Sequence, residues 1–170
     1  MAFDVLPWLE YRWDFGAPAG MFRPLLERLR GTPLRLDALV RGIRADALVR
    51  HEPGKWSALE HAGHLCTVEA LWQTRIAEFL RGEPTLSAAD MTNRATNARD
   101  YNRRSPEAVL DGFRSARAAT MASLDPLTLD DAARVAHHPR LGHAMRLLDL
   151  CTFAAEHDDH HLALIRRLAV

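Results

Sequence analysis

Three of the nine histidines fall within five consecutive residues, in the run Glu156-His157-Asp158-Asp159-His160-His161. The run lies in a helix-compatible segment, and a helix turns about 100° per residue, so His157 and His161 lie about 40° from each other on one face. Two imidazoles in that relation can hold one metal ion. They also interrupt an apolar line: Leu147, Leu150, Ala154, His157, His161, Leu164 and Leu168 keep a three-four spacing, the inward stripe of a bundle helix. Imidazole in an apolar seam costs free energy unless its nitrogens are bonded, and metal coordination satisfies them while keeping the ring neutral. Hydrogen bonding to Tyr, Asp or Glu on neighbouring helices is the competing use of the pair. Zinc, nickel or iron needs about three protein ligands and an open position for catalysis, so the question is whether a third ligand comes from elsewhere in the chain.

A length of 170 residues favours a single domain over 1–170 with one sizeable core. The formal charge is zero, and no basic block offers the counterion release that nucleic-acid binding draws on. The opening Met-Ala-Phe-Asp-Val-Leu-Pro-Trp has no basic stretch followed by an apolar run. No window approaches the roughly 18 apolar residues of a membrane span, so a cytoplasmic protein without membrane partners is expected. Cys66 and Cys151 stand alone in apolar helical patterns and read as small buried core residues in a reducing compartment.

Helical signals cover most of the rest. Residues 1–18, with Trp8, Tyr11, Trp13 and Phe15, are too aromatic for a loose tail and predict a docked extended segment. Two short helical pieces follow, at about 21–30 and 32–44, the second with Thr32 as N-cap and Pro33 at its first position. Residues 50–55 read as a loop. A second helix over 57–81 opens on Ser57 and Glu60, a capping box, and closes at Gly82 and Pro84. Its stripe of Leu65, Val68, Trp72, Ile76 and Phe79 has His61 and His64 at its first turns, and periodicity nominates both and decides neither. The stretch 83–104 lacks sustained periodicity, and connections of that length inside compact domains are usually functional or disordered. Ser105 and Pro106 begin a third helix, 106–123, with Val109, Leu110, Phe113, Ala116 and Thr120 inward. His137 and His138 are assigned to a surface loop, and a fourth helix is expected over 142–168. With no convincing strand, the class is all-α: a four-helix bundle with a long connection between helices two and three.

Trp56-Ser57, Glu60-His61-Ala62-Gly63-His64-Leu65 and Ala155-Glu156-His157-Asp158-Asp159-His160-His161 together resemble the DinB/YfiT-like superfamily of small bacterial metalloproteins. The likeness covers nearly the whole chain and extends to Arg30-Gly31-Thr32-Pro33, Ala89-Asp90-Met91-Thr92-Asn93 and His138-Pro139-Arg140-Leu141. It implies a four-helix bundle, usually homodimeric, holding one divalent ion, nickel or zinc foremost and iron or manganese next, on three histidines. Carried over by position, these are His64, from the His-Leu dipeptide of helix two, and His157 and His161, from the H-x-x-x-H of helix four. The resemblance, and not the helical wheel, selects His64 over His61. His160, about 60° from His157, is left to a supporting role.

No Glu is followed by His three residues on, and no H-E-x-x-H occurs, which sets aside the di-metal carboxylate bundles and the metalloprotease motif. A mononuclear site with three neutral nitrogens and an open position can make a nucleophile of a thiol or water near neutral pH. The resemblance implies either transfer of a low-molecular-weight thiol of the bacillithiol type to a small electrophile or metal-dependent hydrolysis. A non-catalytic metal-binding stress-response protein is the alternative of another class. In the enzymatic readings Asn93, Arg94 and Asn97 of the long connection shape the pocket, and neither cysteine faces it. Metal affinity is expected to fall as the pH drops through about 6.5, where protons compete for imidazole.

Overall fold

A computed structural model of the chain describes residues 4–51 and 53–169. Its elements in order are α1 (Phe22–Arg41), α2 (Ala45–Leu48), α3 (Ala58–Arg81), α4 (Arg94–Asn97), α5 (Pro106–Leu124), α6 (Leu129–Ala132), β1 (Val135–His138), β2 (His143–Arg146) and α7 (Leu147–Leu168), with short 3-10 turns at Trp8–Glu10, Ala19–Met21 and Tyr101–Arg103. The four long helices form a bundle in which α1 packs on α5 and α7, and α3 on α5 and α7. No helix among the described residues is long and apolar enough to cross a membrane.

Two apolar clusters fill the interior. One joins the start of α1 (Phe22, Leu26, Leu29) to the ends of α3 (Trp72, Ile76, Phe79) and α5 (Met121, Leu124) and the start of α7 (Leu147, Leu150, Phe153). The other joins Leu36 and Val40 of α1, Leu59, Ala62 and Leu65 of α3, Val109 and Phe113 of α5, and Ile165 of α7. Helices α1 and α7 therefore run from the first cluster to the second, and α3 and α5 run the opposite way. Since α3 and α5 are parallel neighbours, the chain must return the full length of the bundle between them. That requirement accounts for the long irregular connection 82–105, which lies back along α3: Ser87 binds Glu78, Thr96 reaches His64 and Asn102 reaches Ser57.

A layer of polar side chains, at least one from each long helix, separates the two clusters. Arg117 of α5, 2% exposed, donates from Nε to Glu69 of α3 at 3.0 Å and from Nη1 to Asp158 of α7 at 2.7 Å. Thr32 of α1 donates to the same Asp158 oxygen at 2.8 Å. This layer also explains why the first helix does not break. The two pieces expected at 21–30 and 32–44 are one helix, because Pro33 lies inside α1 and the carbonyl of Leu29, which its missing N–H cannot reach, accepts from Arg117 Nη1 at 2.9 Å. Thr32 is accordingly a buried mid-helix residue and not an N-cap.

Local signals hold elsewhere. Ser57 and Glu60 form the capping box of α3, and Gly82, at φ 74°, closes it. Ser105 caps α5 ahead of Pro106. Two expectations need correction. Residues 135–146 are an antiparallel hairpin with Val135 opposite Arg146 and His138 opposite His143, turned through Gly142 at φ 71°, so α7 starts at Leu147 and the chain is not purely helical. The hairpin is held from outside by the crossover connection, with His137 N–H donating to Pro84 O and Leu86 N–H to His137 O. His138, expected in a surface loop, is buried as a result. The described part of 50–55, which omits residue 52, is a loop, and residues 4–18 are extended apart from one 3-10 turn, as expected of the described part of that segment.

At Gly63 the ring of Tyr101, from the connection, lies directly against the backbone of α3. A Cβ there would fall 2.3 to 2.5 Å from three Tyr101 ring atoms, and that ring is pinned by a 2.7 Å hydrogen bond between Tyr101 Oη and Thr67 Oγ1. Gly63→Ala is expected to destabilise the fold by about 2 kcal/mol: overpacking costs roughly 1–3 kcal/mol and outweighs the gain of up to about 1 kcal/mol that Ala brings to a helix. Urea unfolding checks this, and a loss under about 0.5 kcal/mol, the usual range of an uninvolved surface change, contradicts it.

Candidate metal centre

Five histidines converge where α3 and α7 pack together. His64 Nε2 lies 3.3 Å from His157 Nε2, and the His161 ring is 4.7 Å from that of His64 and 4.5 Å from that of His157. One ring nitrogen from each of the three lies within 4.8 Å of the others, and all three side chains are buried. The structure thus brings together the three histidines that the family resemblance implies.

The remaining histidines support the cluster from outside. His61 Nδ1 meets His161 Nδ1 at 2.9 Å, which occupies that nitrogen and leaves Nε2 of His161 for the cluster. Periodicity could not rank His61 against His64 because both lie on the buried face and both touch the same partner ring. His160 packs against Trp8 and Tyr11, with Tyr11 Oη 3.4 Å from its Nδ1.

Several contributors carry no periodic signal. Thr96 Oγ1 lies 2.9 Å from His64 Nδ1, the Trp56 ring packs at a tilt 4.8 Å from that of His64, and Trp8 meets His157 edge-on at 5.1 Å. Asn93 of the connection lines the cavity over the cluster. Asn97 instead accepts from Trp56 Nε1 at 3.0 Å, and Arg94 is turned to solvent beside Asp90. The lining of that cavity, about 520 Å³, includes Trp8, Trp56, Trp72, Phe153 and Val68, Ala70 and Leu71 of α3 beside the histidines. Neither cysteine lines it: Cys151 is buried in the bundle interior, where desolvation pushes its thiol up to about 12.

The donor set fits a divalent ion. Burial pushes His64 down to about 4 and His157 and His161 well below the ordinary imidazole value, so the rings are neutral, as ligation requires. In the tautomer whose Nδ1–H donates to Thr96 Oγ1, the Nε2 lone pair of His64 faces His157 Nε2. Two nitrogens each about 2.0–2.1 Å from a tetrahedral ion lie about 3.3 Å apart, the spacing found between His64 and His157. The three-histidine cluster suggests a divalent metal site.

These depressed values set a pH dependence for the metal-free protein. Burial holds His61 down to about 3 and His138 to about 4, whereas unfolded imidazoles titrate near 6.5. As the pH falls from about 6.5 towards 4, the unfolded chain takes up protons that the folded one refuses, and each unit of depression is worth about 1.4 kcal/mol. Stability is therefore full above pH 6.5 and declines steadily below it. Proton competition at His64 likewise moves below the 6.5 expected from sequence. Thermal unfolding of chelator-treated protein between pH 7.5 and 4.5 checks this, and an unchanged midpoint contradicts it.

Residues 28–165 match the model of the DinB superfamily. Among solved structures, the fold is similar to that of YfiT from Bacillus subtilis, described as "a probable metal-dependent hydrolase with an unusual four-helix bundle topology", with a TM-score of 0.78 and 19% identity over 94% of this chain and 91% of that one. No curated protein matches the chain.

Proposed function

Because the chain belongs to the DinB superfamily, we propose that it is a metal-dependent enzyme in which His64, His157 and His161 hold one divalent ion, nickel or zinc, and a low-molecular-weight thiol of the bacillithiol type is transferred to a small electrophile in the adjoining cavity. An ion on three neutral nitrogens supplies a Lewis acid with an open position, which lowers the pKa of a thiol or water placed there. His61 and Thr96 fix the orientation of His161 and His64 through their second nitrogens. Trp8, Trp56, Trp72 and Phe153 keep bulk water from the electrophile. The thiol loses its proton to solvent, its sulfur forms the new bond to carbon, and the bond from that carbon to the leaving group breaks, the leaving group departing as an anion with the electron pair.

One observation favours a thiol over water as nucleophile. The one carboxylate lining the cavity among the described residues is Asp90, and it is spent on Thr92 and on the Arg94 N–H. A hydrolase of this kind ordinarily relies on a carboxylate to move protons to and from water and the leaving group, whereas a thiol of depressed pKa needs no such base. Hydrolysis is the second reading, supported by the likeness to YfiT, and it would pass the proton work to His160 or His61.

The assay uses metal-loaded protein, monochlorobimane or a similar electrophile, and bacillithiol, glutathione or cysteine in turn. Wild type and the Cys66→Ala/Cys151→Ala double variant are expected to turn over alike, and His157→Ala to fall to background. Metal-loaded wild type inert with every thiol yet active on an ester or amide would establish hydrolysis instead, and inertness towards both would leave a non-catalytic metal protein. A homodimer is proposed from the family resemblance, and a monomer by light scattering at micromolar concentration would overturn it.

A further inference from the structure

The cavity has a second polar end that the proposed reaction does not use. Arg75 of α3 is 1% exposed, and Arg140, half-buried, lies in the turn between β1 and β2. Neither guanidinium makes an ion pair among the described residues, although both line the cavity. Arg75 spends Nε and Nη2 on the Ser87 carbonyl at 3.0 and 2.8 Å. Its Nη1 faces His138 Nε2 at 3.1 Å, but His138 Nδ1 already accepts from the Leu141 N–H at 3.2 Å. A neutral imidazole has one acceptor nitrogen, so one N–H of the Arg75–His138 pair is left over.

Other hydrogen-bonding groups at this cavity are left over as well. Among the described residues, the buried side-chain nitrogens and oxygens without a partner are Trp72 Nε1, Arg140 Nη2 and His157 Nδ1, and all three residues line this one cavity. The first two can only donate. The guanidiniums are also fixed in place: Arg75 Cζ lies 5.7 Å from the Trp72 ring and Arg140 Cζ 5.6 Å from the Phe153 ring, and those rings meet edge-on at 6.0 Å. Glu78 offsets part of the Arg75 charge from beyond ion-pair range and is itself bonded to Ser87; buried positive charge so partly compensated is costly, and burial lowers the pKa of both arginines, Arg75 to about 10. A negatively charged acceptor would satisfy the charge and the donors together.

We infer that Arg140, Arg75 and Trp72 form an anion-binding subsite, and that the small electrophile carries a carboxylate, phosphonate or phosphate on an apolar body that lies along Trp72 and Phe153. The Trp72 ring is 5.7 Å from that of His157, so one indole separates the anion anchor from the three-histidine end. The anionic character of the electrophile rests on the proposed reaction; the subsite itself rests on its own residues.

Binding is measured by tryptophan fluorescence and calorimetry, on chelator-treated and metal-loaded protein, with benzoate, phenylphosphonate, neutral benzamide and inorganic phosphate. Benzoate and phenylphosphonate are expected to bind metal-free wild type about tenfold or more tightly than benzamide, the scale of a charge-assisted hydrogen bond. Arg140→Gln should remove that preference without altering metal content, and Arg140→Lys should restore part of it. Equal binding of benzoate and benzamide overturns the subsite. Anion binding that requires metal and survives Arg140→Gln places the anion on the ion, which overturns the subsite and leaves the metal reading intact. Arg140-dependent binding by a protein that takes up no metal supports the subsite while the proposed reaction fails. Inorganic phosphate binding as tightly as phenylphosphonate overturns the apolar body.

Discussion

His64→Ala, His157→Ala and His161→Ala are each expected to lose divalent metal, with an affinity drop beyond the roughly 10–100-fold that removal of an outer partner costs. His61→Ala and Thr96→Ala, which remove the holds on His161 and His64, should fall inside that 10–100-fold range. His160→Ala should change affinity least, because its ring packs on Trp8 and Tyr11 and has no part in the cluster of three. Competition against a chromophoric chelator at pH 7.5 separates the three classes. Loss of metal from His160→Ala together with retention by His161→Ala would show that the ligand face of α7 has been misassigned.

Arg117→Met is expected to be the most damaging substitution away from the histidines. It leaves Glu69 and Asp158, 1% and 0% exposed, as two adjacent buried carboxylates, and it strips the Leu29 carbonyl of the donor that replaces the missing N–H of Pro33. Breaking a buried pair from one side costs about 3–5 kcal/mol, which for a chain of this size is a fall in Tm of roughly 6–20 °C. Burial already pushes the Glu69 carboxyl up, so the deficit should shrink at low pH as one carboxylate protonates. The triple variant Glu69→Leu/Arg117→Met/Asp158→Leu should recover much of the loss, since well-packed apolar groups often replace a buried ion network without cost. A single variant within about 1 kcal/mol of wild type by denaturant unfolding, the range of an exposed ion pair, would mean that the layer contributes little.

What could be seen in advance followed the range of the interactions involved. The starts of α3 and α5 were legible because Ser57 with Glu60 and Ser105 with Pro106 act within one turn. The H-x-x-x-H of α7 was legible because helical geometry alone puts His157 beside His161. Pro33 misled because the donor that rescues its helix comes from Arg117, far along the chain. The hairpin was missed because its strands are four residues each and its pairing with residues 84–86 has no local signature. His64 could be preferred to His61 only through family likeness, since the two differ in which nitrogen of which neighbour they meet and not in burial. The docking of Trp8 and Thr96 over the histidines depends on where irregular segments come to rest, which periodicity does not encode. Glu69, Arg117 and Asp158 each stand three or four residues from apolar positions on the inward side of their helices (Leu65 and Trp72, Phe113 and Met121, Ala154 and Leu162), the pattern of a buried polar layer.

The central claim, one divalent ion on three imidazoles, is tested most directly by metal quantification and metal-edge X-ray absorption on protein purified without a His-tag. The expected result is one ion per chain with three imidazole nitrogens at about 2.0–2.1 Å, reduced in number in His157→Ala. Protein that stays metal-free in the presence of nickel and zinc, or an ion whose shell is unchanged in His157→Ala, would contradict it.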